Sequence, residues 1–190
     1  ADQDGDGEQD PDEPTTTTNE DGEFDFEEPT GGVLISQGGR DTATEVEVFG
    51  TYRAPEGADV ITPLTTLVAS LQEQLGSSTQ DAERFVQDAL GTPDVDLLSF
   101  DPFAVLTDPE ADQDAQGQAL DLLQAISQVA ITVGRTGQDI AEATGASADA
   151  GADATFDALA GQLAEAARDA DFDPEGDNSE VTLDRLDLTD

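Results

Sequence analysis

Cysteine, histidine, methionine, tryptophan and lysine are all absent from these 190 residues. Without cysteine there is no disulfide, thiol nucleophile or thiolate zinc site. Without histidine there is no Ser-His-Asp triad and no imidazole metal ligand. Without lysine there is no P-loop and no Schiff base. Basic residues are scarce: six arginines stand against 45 acidic residues, a formal charge of −39. Such a chain repels phosphate backbones, which argues against nucleic-acid binding. Apolar residues make up 36% of the sequence, so a core has to be concentrated in particular segments. No run approaches about 18 consecutive apolar residues, so no membrane insertion is expected, and none has the form of a signal-peptide core. With no initiator methionine, the chain reads as a processed protein or an excised fragment.

What is abundant is carboxylate, and clustered carboxylates suit hard cations. Aspartate outnumbers glutamate, and the short side chain favours turns and ion loops over helix interiors. The acidity has two physical readings. One is adaptation to high salt, where screening makes self-repulsion tolerable. The other is an extracellular, calcium-rich setting.

The sharpest signal is the run from Asp2 to Glu13, DQDGDGEQDPDE. Counting Asp2 as loop position one, Asp2, Asp4, Asp6, Asp10 and Glu13 place carboxylates at positions one, three, five, nine and twelve. Gly7 falls at six, where a loop of EF-hand type turns sharply, and Glu8 offers a backbone carbonyl at seven. These six residues are the candidate metal ligands, and calcium, which takes six to eight oxygens, is the expected ion. Only Ala1 precedes the loop in this sequence and Pro14 follows it, so an EF-hand-like loop without its exiting helix is expected. Weaker acidic clusters occur at Asn19–Asp25 and Asp171–Asp177; the first reads as a solvated strand face, and the second lacks a carboxylate at its twelfth position. The pair Asp94 and Asp96 resembles a glycosidase dyad only in composition, with one tyrosine and no tryptophan to form a sugar platform. An enzyme is not expected.

The periodicities predict an α+β chain, a small N-terminal β portion followed by a bundle of about four helices. Thr15 to Thr18 and Glu23 to Phe26 flank Asn19-Glu20-Asp21-Gly22, which reads as a hairpin. Val33 to Ile35 and Thr44 to Arg53 are further strands; in the second, Val46, Val48 and Tyr52 share one face, and Glu45, Glu47 and Phe49 the other. From Thr62 the period becomes helical. Thr62-Pro63 opens a helix that Gly76 ends, and Ser78 opens a second that Gly91 ends. Asp101-Pro102 starts a short turn, and Asp108-Pro109 repeats the signal. Leu120, Leu123, Ile126, Ala130 and Val133, flanked by Leu122 and Val129, mark an apolar face wide enough for a central helix, weakened at its end by Gly134 and Gly137. Residues 143–153 read as a linker, and Phe156 to Arg168 as the last helix. The expected organisation is residues 1–61 for the calcium loop and strands, 62–168 for the helical bundle, and 169–190 for an acidic tail with a short strand at Val181 to Leu183.

The stretch DQDGDGEQDPDEPTTTTNEDGEF, with Glu13-Pro14 before a Thr-rich segment and Gly22-Glu23-Phe24 after it, resembles the calcium-binding β-sandwich repeats (SdrD B-like and prealbumin-like) of large bacterial surface proteins. The stretch from Gly38-Gly39-Arg40 to Thr65-Thr66-Leu67 is similar to a segment of secreted adhesin-type proteins in which such a repeat precedes a helical region. The resemblance implies a β-sandwich cut short at its N-terminus, bound calcium, an extracellular or cell-surface location, an adhesion role and other domains of a larger surface protein as partners. The rival expectation from composition is a halophilic, acidic globular interaction protein with no specific metal.

Overall fold

The computed structural model describes residues 1–4, 10–26, 31–40, 47–174, 176, 178 and 180–185. Two strands precede five helices: β1 (Leu34–Gln37), β2 (Thr51–Ala54), α1 (Pro63–Leu75), α2 (Thr79–Leu90), α3 (Pro102–Thr107), α4 (Gln113–Thr144) and α5 (Ala148–Asp169). This is the α+β arrangement expected, a small antiparallel sheet followed by a helical bundle. It is not a β-sandwich. Among the described residues the one sheet is two-stranded, Leu34 pairing with Ala54 and Gln37 with Thr51. The Thr15–Phe26 stretch keeps its turn, where Asn19 Oδ1 accepts from the N–H groups of Asp21 and Glu23, but forms no strand ladder. With one sheet of two short strands, there is no second sheet face to bury; the helices do that instead.

Local chemistry explains the helix ends. Thr62 accepts from the N–H groups of Leu64 and Thr65, and Pro63 occupies the first turn, where its missing N–H costs nothing. Ser78 caps α2, Asp101 α3, Asp112 α4 and Ser147 α5. Gly76, Gly91 and Gly145 stop α1, α2 and α4 in the left-handed conformation that a glycine adopts without Cβ strain. Asp108-Pro109 does not open a helix. Asp108 instead accepts from the Glu110 N–H in a turn, and the helix begins after Asp112.

The central helix is α1, not the segment around Leu123. It touches α2, α4, α5 and β2, and its sequence carries a single charge, Glu73, so it can be enclosed on nearly every side. Leu64, Leu67, Val68 and Leu71 are fully buried there, against Phe85 and Val86 of α2 and Phe156 and Leu163 of α5. The seam of α4 is also rotated from its expected phase. Ala119, Leu122, Ala125, Val129, Val133 and Gly137 face the core, whereas Leu120 is 59% exposed.

The expected linker at 143–153 shrinks to Gly145–Ser147, because Ala-rich sequence propagates helix on both sides. Gly137, read as weakening the helix, and Gly151, within the expected linker, are the crossing of α4 with α5. A Cβ on Gly137 would lie 2.6 Å from the Ala152 nitrogen, so only bare backbone fits. The expected alternation also fails between Phe49 and Tyr52. Residues 41–46 lie outside the described residues. Phe49 and Tyr52, placed on opposite faces by sequence, both pack on the helical core, since Gly50 turns the chain at φ +85° between them.

The free edge of β2 is covered by helix side chains. The Arg53 N–H donates to Thr66 Oγ1, and the Arg53 carbonyl accepts from Thr65 Oγ1. The Gly50 N–H donates to Asp149 and the Thr51 N–H to Asp153, both on α5. These oxygens stand in for a third strand and block edge-to-edge pairing. At the other end of the chain, Phe172 stacks edge-on against Phe85, and Leu183 is buried in the main core. No strand forms at Val181 to Leu183. No helix is long and apolar enough to cross a membrane among the described residues.

Candidate metal centre

The N-terminal loop is built from backbone pairing outward. Asp2 and Val33 exchange two antiparallel hydrogen bonds, at 2.8 and 3.0 Å. Gly32 makes that approach possible, since its φ is +88° and a Cβ there would lie 1.9 Å from the Asp2 carbonyl oxygen. The Ala1 ammonium donates to the Pro14 carbonyl at 2.7 Å. The carboxylate of Glu13 then ties the loop shut: Oε1 accepts from the Gln3 N–H at 2.6 Å and Oε2 from the Asp10 N–H at 3.1 Å.

This folding gathers three of the six sequence-derived ligands. Asp2, Asp4 and Glu13 each present a carboxylate oxygen, and these oxygens lie within 4.8 Å of one another. That separation is about twice a calcium–oxygen distance of 2.3–2.6 Å. Asp2 is only 3% exposed, Glu13 half-buried and Asp4 exposed. Asp10 stands outside the trio and meets Glu13 through its backbone, donating from its N–H and accepting the Glu13 N–H at its carbonyl. Asp6 and Glu8 lie outside the described residues. Oxygen-only donors fit a hard cation, and a carboxylate's several lone pairs let Glu13 serve the loop N–H groups and an ion together.

The other acidic clusters resolve differently. Around Asn19, Asp21 and Glu23 the polar groups bond to one another in a turn, with Asn19 Nδ2 donating to Glu23. In the Asp171–Asn178 loop the organiser is Asn178, buried at 4% exposure. Its Oδ1 accepts from the Asp173 N–H and its Nδ2 donates to the Asp173 carbonyl. Arg84, paired with Asp81 at 3.1 Å, donates to the Asn178 carbonyl, which docks the loop on α2. Asp94 and Asp96 face Glu83 rather than a sugar cleft. Glu83 accepts from the Leu97 N–H at 2.6 Å. Burial raises its carboxyl above the usual range, against that hydrogen bond, with the charges of Asp96 and Asp94 adding to the rise. Sequence reading did not single out Glu83, because its partners come from a loop more than ten residues away.

No protein-family model matches this chain, and no curated protein or solved structure is detectably similar to it. Together with the helical architecture, this removes the β-sandwich resemblance as a guide to family.

Proposed function

We propose that this chain is a non-enzymatic calcium-binding structural module that works outside the cell, with the ion held by the N-terminal loop. The observation that carries the reading is the convergence of Asp2, Asp4 and Glu13. Those positions are one, three and twelve of the calcium-loop spacing, so pattern and geometry point to the same residues. Carboxylates gathered this closely repel one another. A divalent ion cancels the repulsion and fixes the Asp2–Val33 pair, through which the loop is joined to the sheet. Exposed Asp4 leaves the site open to water, which suits affinity on the order of 10⁻⁴–10⁻³ M and an environment where calcium is abundant.

Thermal melts test this. Calcium at about 100 times its dissociation constant adds about 2.7 kcal/mol of stability by mass action. Sodium chloride of matched ionic strength gives a smaller rise, and Glu13→Gln and Asp4→Ala abolish the difference. An equal response to both salts overturns the reading.

That second outcome would favour salt adaptation without a specific metal. Its support is the charge of −39 set against two ion pairs among the described residues, Arg53–Glu73 and Arg84–Asp81. Most carboxylates therefore face solvent, where salt screens them.

A further inference from the structure

A cleft of about 560 Å³ lies in the angle between one face of the hairpin and the helices α1 and α5. Ile35 and Gln37 of β1, with their cross-strand partners Arg53 and Thr51, form the sheet wall. Thr66, Ser70 and Glu73, at helical spacing on α1, form the second wall, and Asp153, Phe156 and Asp157 of α5 the third. Most of the polar groups here engage one another. Gln37 donates to Thr51 Oγ1, and the Thr51 N–H and hydroxyl donate to Asp153. Thr66 bonds to the Arg53 backbone, and the Arg53 guanidinium meets Glu73 through both terminal nitrogens, at 2.9 and 3.2 Å. Two groups are left over. Ser70 is 5% exposed, and its hydroxyl has no hydrogen-bond partner among the described residues. Its Oγ is not sealed in the core, as that of Ser77 is, but opens on the cleft. The carboxylate of Asp157 stands exposed at the rim, likewise without a partner among the described residues. The first residues lie beside the outer edge of β1, through the Asp2–Val33 pair, and residues 183–185 lie along α2, on Asp88 and Leu90, so neither segment is directed into the cleft.

We infer that the cleft binds a small organic cation, a primary amine whose alkyl chain ends in a hydroxyl. The charged groups that face the cleft are Arg53, Glu73, Asp153 and Asp157. Glu73 neutralises Arg53, which leaves the two aspartates, one turn apart on α5, to attract a cation. An ammonium donates to both. The alkyl chain lies on Phe156 and Ile35, the apolar part of the lining. The hydroxyl meets Ser70 Oγ, which can both donate and accept. Ser70 and Asp157 stand on helices that pack directly on each other. Axes of packed helices are about 8–10 Å apart, within reach of a five-carbon chain. A cavity of this size is in the range of small-molecule sites. None of Asp2, Asp4 and Glu13 lines the cleft, so the inference is independent of calcium.

The test is an NMR titration of the full chain, in chelator and at constant ionic strength. It compares 5-amino-1-pentanol with pentylamine, which carries the same charge without the hydroxyl. The expected result is saturable shifts at the Ser70 and Phe156 amides, with affinity about fivefold higher for the amino alcohol. Ser70→Ala leaves the net charge unchanged and removes that preference. Asp157→Asn weakens both amines, whereas Asp121→Asn, at an exposed aspartate on α4, does not. Absence of saturable shifts, equal affinities of the two amines, or a preference that survives Ser70→Ala overturns the proposal. Equal weakening by the two aspartate variants marks a counterion atmosphere and overturns it as well. Failure of the calcium melts leaves it standing.

Discussion

Gly137 of α4 and Gly151 of α5 meet backbone to backbone. A Cβ on Gly151 would lie 2.1 Å from the Gly137 carbonyl oxygen. The helices approach this closely on either side of their three-residue connection, and Gly50 presses on the residue after Gly151, Ala152, from the sheet side. The crossing therefore fixes both the helical hairpin and the start of β2.

Ordinarily Gly→Ala in a helix stabilises by about 1 kcal/mol. Gly151→Ala is expected to do the reverse, destabilising by about 1–3 kcal/mol through overpacking. Gly134→Ala on α4, with nothing within 4 Å of the new methyl, should show the ordinary gain. Urea melts of the two variants check this, and a stabilised Gly151→Ala would disprove the close crossing.

The rotated phase of α4 separates two neighbouring leucines. Leu122 is 2% exposed and Leu120 59%. Leu122→Ala is expected to cost about 2–5 kcal/mol and Leu120→Ala within about 0.5 kcal/mol. Equal losses would restore the phase that the sequence suggested.

Thr66 is buried, with its hydroxyl oxygen accepting the Arg53 N–H at 2.9 Å. Thr66→Val keeps the shape and removes that acceptor, leaving a half-buried strand N–H without it. A loss of about 1–3 kcal/mol is expected, with Thr66→Ser retaining most of the stability. Faster exchange of the Arg53 amide in the valine variant locates the effect; an unchanged rate would refute it.

The raised carboxyl of Glu83 makes a pH prediction. The folded state holds its proton to higher pH than the unfolded state, so over that interval unfolding releases protons and stability falls as pH rises. The contribution is fully present below the ordinary glutamate range and is lost as pH climbs through the raised value. Glu83→Gln keeps an acceptor for the Leu97 N–H and removes the charge. Its melting temperature should exceed the parent's at neutral pH, and the gap should close in acid. A less stable variant at neutral pH would contradict this account.

Much of the local structure was legible in the sequence. Thr62, Ser78 and Asp101 were readable as caps, and Gly76 and Gly91 as stops, because capping is settled within one helical turn. The spacing in the first thirteen residues likewise marked Asp2, Asp4 and Glu13 before any fold was known. What it missed depended on neighbours distant in sequence. A leucine-rich stripe shows that a helix has an apolar face, but the partner sets its rotation, and α5 selected Leu122 and Val129 over Leu120.

The sequence by itself determined the caps of α1, α2 and α3, the stops of α1 and α2, turn chemistry and the acidic surface, since these follow from dihedral preference, side-chain hydrogen bonding and charge within a few residues. Only the tertiary structure decided that α1 is the centre, that Gly137 and Gly151 are a contact rather than a flexible break, and that helix oxygens seal the edge of β2. The reason is steric and electrostatic complementarity: whether a missing side chain is a weakness or a fit, and whether a hydroxyl faces water or a strand, is fixed by the surface brought against it.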